Sequence, residues 1–165
     1  MILALVLFFI LSIVSLINLN RQTLIAGKSY QIKATDPHYI VHFSVSNEYL
    51  KDIEDLPVEL KKSVKTVEIG SGEGSYTDSR NIVLDTEDYH KDTVIHEAIH
   101  VLDNVMGTSK NKHFMQCLQK DHYIINDDLD EVFVTIMIHY YKDKKEVKKL
   151  LPDTYKFLKQ QLKEG

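Results

Sequence analysis

Two histidines four residues apart in an apolar helical stretch constrain this chain more than any other feature. The segment is His96-Glu97-Ala98-Ile99-His100, flanked by Val94, Ile95, Val101, Leu102 and Val105. On a helix, positions four apart lie one above the other on a single face, so both imidazoles can reach one ion. A helix this apolar belongs in an interior, where imidazoles need partners. Neutral imidazole suits zinc, and a glutamate beside the first ligand can take the proton of a zinc-activated water. Eight histidines in 165 residues make the spacing an uncommon accident. The plain alternative is a surface helix with two incidental histidines. Asp103 falls three residues after His100 and shares its face. It reads either as an acceptor that fixes the tautomer of a ligand imidazole or as a helix-surface carboxylate.

A catalytic zinc takes three protein ligands and keeps one position for water. His113 and His122 lie downstream, but neither belongs to a Gly-containing HExxHxxGxxH continuation, because Val101-Leu102-Asp103-Asn104 follows His100. Glu131 is the stronger candidate. The run after it, residues 132–141, holds no Asp, Glu, Lys or Arg, which predicts a helix buried nearly all round. A carboxylate pointing inward at its start is costly unless it is paired or binds a metal. The other reading is an acidic residue favouring a helix N-terminus, a role that Asp127, Asp128 and Asp130 already fill.

The rest of the chain sets the frame. Residues 1–17 are apolar except for Ser12 and Ser15, which predicts a signal peptide or membrane anchor within residues 1–20. Arg21, Lys28 and Lys33 follow the segment and no cation precedes it. The expected location is secreted or anchored facing outward through residues 1–19. The positive-inside bias keeps a cytoplasmic-facing anchor open. Residues 28–165 form one domain, long enough to bury a core. Residues 39–46, 64–69 and 81–85 read as strands, separated by a short helix after Pro57 and by the turn-rich Gly70-Ser-Gly-Glu-Gly-Ser75. Helices are expected from Asp92 to a stop at Gly107, over 110–120, from Asp127 or Asp128 to about 142, and from Pro152 to about 163. Strands followed by helices indicate an α+β domain. The net charge of −4 lacks the basic footprint of a nucleic-acid binder. The lysines after residue 142 are mixed with acids and read as a solvated helical face. The single cysteine, Cys117, excludes an internal disulfide and reads as a packed side chain.

Three stretches resemble the peptidase domain of anthrax toxin lethal factor and the related Pro-Pro endopeptidases, and the likeness covers about residues 64–163. Ile95-His-Glu-Ala-Ile-His-Val-Leu-Asp103 resembles the family's motif helix. Glu131-Val-Phe-Val-Thr-Ile-Met-Ile-His-Tyr-Tyr141 resembles its third-ligand helix, and Leu151-Pro-Asp-Thr-Tyr-Lys-Phe-Leu158 its closing helix. The resemblance implies a zincin-like metallopeptidase domain: a small mixed sheet whose edge strand packs on the motif helix, followed by a helical subdomain. It implies one Zn²⁺ per chain held by His96, His100 and Glu131, with Glu97 as general base and a protein or peptide as substrate. Tyr123 corresponds to an oxyanion-stabilising Tyr, one residue farther from Glu131 than the family spacing. Thr135 stands where the family has a second Glu, and leaves a hydroxyl without charge beside the ligands. Relatives add the substrate as a strand along a sheet edge, here expected near Gly74, Ser75 and Tyr76. A non-catalytic zinc-binding module of the same fold is the alternative.

Overall fold

The computed structural model of the chain describes residues 28–30, 38–41, 47–70, 74–85 and 90–164. The expected targeting segment lies outside them. No helix of the described residues is long and apolar enough to cross a membrane.

Five strands and seven helices are described: β1 (Lys28–Tyr30), β2 (His38–Val41), α1 (Asn47–Glu54), α2 (Val58–Ser63), β3 (Thr66–Gly70), β4 (Tyr76–Asp78), β5 (Asn81–Asp85), α3 (Thr93–Met106), α4 (Lys112–Lys120), α5 (Leu129–Lys142), α6 (Lys144–Leu150) and α7 (Pro152–Glu164). The strands form one mixed sheet in the order β1-β2-β3-β5-β4. β2, β3 and β5 run parallel to one another, while β1 and β4 pair antiparallel at the two ends. The expected α+β class is what the chain forms.

Alternation along β3 and β5 buries Val67, Ile69, Ile82 and Leu84 on one face, the period-2 signature of a half-covered sheet. α3 packs over β4 and β5 and also against α1, α2 and α5. It contributes Val94, Ala98, Ile99, Val101 and Leu102 to the core. Gly107 ends α3 in the left-handed conformation, at φ 66°, and its amide donates to the Asp103 carbonyl. Glycine has no Cβ to oppose that turn.

The boundaries expected for α3, α4, α5, α7 and β5 agree with the structure to within about two residues. Four short elements escape the sequence pattern: β1 and β4 have three residues each, α1 looked like a charged stretch, and α6 is mostly lysine. The strand expected over 39–46 is described only as far as Val41. α5 differs from expectation in burial. It hides Val132, Phe133, Val134, Ile136, Met137 and Tyr140, yet Thr135 and His139 are exposed and Glu131 is half-exposed. The polar stripe i, i+4, i+8 faces outward, so the absence of charge in this run does not mean burial on all sides.

The helical half is tied together at its turns. α4 ends with His122 at φ 55°, where the Tyr123 amide reaches the Leu118 carbonyl and the His122 amide the Gln119 carbonyl. This paired closure directs the chain away from the helix. Asp121, at the same turn, accepts from the amides of Asp153 and Thr154 at 3.0 and 2.8 Å. It thereby caps α7 from outside its own segment. Cys117 is buried, and burial pushes its thiol pKa up, which fits a packed, unreactive side chain. Replacing Asp121 by Ala should cost about 1–2 kcal/mol through two orphaned helix amides. Denaturant titration reads this directly, and an unchanged midpoint would remove the capping role.

Candidate metal centre

α3 and α5 bring His96, His100 and Glu131 together across 35 residues of sequence. The Nε2 atoms of the two histidines lie 3.1 Å apart. Glu131 places one oxygen 3.1 Å from His100 Nε2 and the other 3.7 Å from His96 Nε2. All three side chains are half-buried, with 35, 18 and 43 % of their surface exposed. An ion could therefore be held at a position still open to solvent.

The arrangement fits a small divalent cation. His100 Nε2 faces His96 Nε2 and a Glu131 oxygen at the same distance, 3.1 Å. A single ring N–H can point well at one of them. Three lone-pair donors aimed at one another are reconciled by a positive charge between them. Ligand atoms bonded at about 2.0–2.1 Å to a tetrahedral ion stand about 3.3 Å from each other, and the observed separations straddle that value. Ligand atoms of all three residues lie within 4.8 Å of one another, and no other such group occurs among the described residues.

Glu97, next to His96 in sequence, has a partner of its own. It is buried, and its Oε2 accepts from the Thr77 hydroxyl at 2.7 Å; the same hydroxyl lies 3.1 Å from the Glu97 carbonyl oxygen. Thr77 sits in the middle of β4, so the sheet edge holds the motif helix at this carboxylate. No sequence signal reveals Thr77: it is one polar residue in a three-residue strand, twenty positions away.

Asp103 does not act on a ligand imidazole. It is buried, and its two oxygens accept from the Ser109 amide, at 2.7 Å, and the Ser109 hydroxyl. Neither histidine bonds to it. The carboxylate is on the expected helix, but Gly107 turns the chain back over it, so the loop takes both oxygens. Its role is to fasten the end of α3.

The edge expected at Gly74, Ser75 and Tyr76 is displaced by about two residues. Among the described residues β4 is an edge strand that pairs with β5 alone, but it spans Tyr76–Asp78. Gly74 and Ser75 are turned toward Asp85: the Gly74 amide donates to its carboxylate, and its amide donates to the Ser75 hydroxyl, both at 3.0 Å. They anchor the strand and leave Tyr76, 47 % exposed, at the start of the free edge. Tyr123 and Thr135 line a common cavity one turn of α5 beyond Glu131; the Tyr123 hydroxyl makes no hydrogen bond to the three metal-binding candidates. His113 and His122 are apart from the group: His113 meets Phe157 edge to face and His122 forms the turn after α4.

Comparison with protein-family models, curated proteins and solved structures finds no match for this chain.

Two substitutions separate these roles. Changing His100 to Ala should abolish stoichiometric binding of a divalent ion, read by elemental analysis of the purified chain. Asp103→Ala should leave the ion in place and lower stability by about 1–3 kcal/mol, since the Ser109 amide loses a charged partner in the interior. Loss of metal on Asp103→Ala would restore a link between that carboxylate and the imidazoles.

Proposed function

We propose that the chain is a zinc-dependent metalloendopeptidase of the zincin type, related to the lethal factor and Pro-Pro endopeptidase group. The observation that carries this reading is the convergence of His96, His100 and Glu131 beside a buried glutamate that follows the first histidine. Two imidazoles, one carboxylate and no thiolate are the donor set of a catalytic zinc, with a fourth position left for water. The bound ion would supply Lewis acidity, polarising a carbonyl and making a nearby water more acidic.

This chain's own residues do the remainder. Glu97 accepts a proton from the attacking water and returns it to the leaving amine. The bond from Thr77 fixes one oxygen of Glu97, leaving the other as the acceptor. Tyr76 and Thr77 offer the free side of β4 to an extended peptide, which would add to the sheet as another strand. That arrangement connects substrate and base, because the strand that would receive the peptide also holds Glu97. Tyr123 lines the same cavity as Thr135 and, one residue off the family spacing, would donate to the developing oxyanion. Thr135 adds no charge there, so Glu131 would be the one carboxylate to hold the ion.

The expected measurement is about one equivalent of zinc per chain and cleavage of a peptide library that a chelator stops. Glu97→Gln should reduce cleavage by at least a hundredfold while zinc content stays unchanged. Zinc that binds and raises the melting temperature without any cleavage would favour a non-catalytic zinc module. A chain that binds no zinc would overturn both.

A further inference from the structure

We propose that the outward faces of α6 and α7 form a docking surface for an anionic lipid bilayer, made by Lys145, Lys148, Lys149, Lys156 and Lys159 with Leu150 at its edge. The surface uses none of the metal-binding candidates and does not depend on the peptidase reading.

Residues 142–159 hold seven Lys, three acids and no Arg, a net charge of +4 in a chain of net −4. In residue order the two signs are mixed, and the fold separates them. Asp143 is taken up in capping α6, where its carboxylate accepts from the amides of Lys145 and Glu146 at 2.9 and 3.1 Å. Glu146 lines a cavity with His139 and Thr135. Asp153 sits in the first turn of α7, half-buried and near Cys117. Two of the lysines are engaged as well. Lys142 pairs with Asp92 at 2.8 Å, and the Lys144 ammonium lies 4.8 Å from the centre of the Tyr140 ring. The other five are exposed, and among the described residues no carboxylate pairs with any of them.

Helical phase gathers the five. Val147 is the one buried residue of α6, and at about 100° per residue Lys145 and Lys149 fall on the opposite side, with Lys148 beside them. Lys156 and Lys159, three apart, share a face of α7 opposite the buried Thr154, Phe157 and Leu158. α6 packs against α7, and Leu151 alone joins them, so the two faces adjoin. Apolar side chains stand beside these cations. Leu150 is 60 % exposed directly after Lys149, and Ile124, 75 % exposed, follows Tyr123, which lines one cavity with Leu150. A bilayer interface accommodates both kinds of group, ammoniums at the headgroups and aliphatic side chains below them. Lysine is a compact point charge without the planar fork that reads phosphates and bases, so a surface of lysines alone favours a diffuse anionic layer over a nucleic acid. The apolar run of residues 1–17 at the head of the chain favours a bilayer over an acidic protein. Each lysine brought to an anionic bilayer raises partitioning roughly fivefold.

The test uses the full chain with vesicles of phosphatidylcholine, alone or mixed with phosphatidylglycerol. The apolar run can hold the chain on both, and amine acetylation read by mass spectrometry reports which lysines the lipid covers. In about 0.1 M salt, acetylation of Lys145, Lys148, Lys149, Lys156 and Lys159 should fall by about threefold or more on the anionic vesicles. It should stay unchanged on phosphatidylcholine, while the exposed Lys51 and Lys110 react equally on both. About 1 M salt, which screens charge beyond about 3 Å, should restore the reaction. Combining Lys145→Gln with Lys149→Gln, both at exposed positions, should return Lys156 and Lys159 to the level seen on phosphatidylcholine. Equal acetylation on the two kinds of vesicle overturns the proposal. So does protection that survives high salt or the double variant, or that spreads to Lys51 and Lys110. Protection of the five by soluble polyphosphate where anionic vesicles give none also overturns it, and makes the surface a site for a soluble polyanion. The zinc and cleavage measurements above stand apart from each of these results.

Discussion

Burial of α3 between the sheet and α5 is the constraint on which the candidate metal-binding group depends. Val94, Ala98, Ile99, Val101 and Leu102 all lie in the core, and each large side chain withdrawn from water contributes about 1.5–3 kcal/mol. That face cannot rotate without exposing them. A helix turns through about 100° per residue, so fixing the apolar face also fixes the direction of His96 and His100. The imidazoles reach α5 because the core leaves α3 no other orientation.

Two attachments make that orientation sharper. At one side Thr77 binds Glu97, joining the edge strand to the helix interior. At the C-terminal end Ser109 binds both oxygens of Asp103, so the loop after Gly107 closes against the helix. A third, more exposed contact joins Lys142 to Asp92 at 2.8 Å, linking the end of α5 to the start of α3. Surface pairs of this kind contribute little energy, and the alignment of α3 and α5 rests on their shared core. Each buried carboxylate on α3 has a hydroxyl partner from another element, as an interior requires of charged groups.

The helix boundaries were legible because they have local causes. Gly107 stops α3 through its own backbone freedom, and Pro152 opens α7 with a fixed φ and no donor to lose. β4 and α6 were not legible. Three residues carry too little alternation to mark a strand, and Lys144-Lys145-Glu146-Val147-Lys148-Lys149-Leu150 buries only Val147. The outward face of α5 was hidden for a related reason. Neither Thr135 nor His139 is an Asp, Glu, Lys or Arg, so in the residue order their stripe resembles the buried residues around it.

Within the candidate metal-binding group the division follows sequence distance. The spacing of His96 and His100 is a property of one helix, and any fold that keeps α3 helical keeps them on one face. Glu131 could be chosen as their partner from its chemistry, but its approach to within 3.1 Å depends on how α3 packs on α5. Asp103 illustrates the limit. Helical periodicity correctly put it on the histidine face, yet a loop six residues later claimed its oxygens. Thr77 illustrates the converse, a hydroxyl with no local signature that strand pairing carries to Glu97. Periodicity is a local consequence of backbone geometry and can be read from residue order. Which donor meets which acceptor depends on the competition among all the surfaces that fold against each other, and no single segment contains that information.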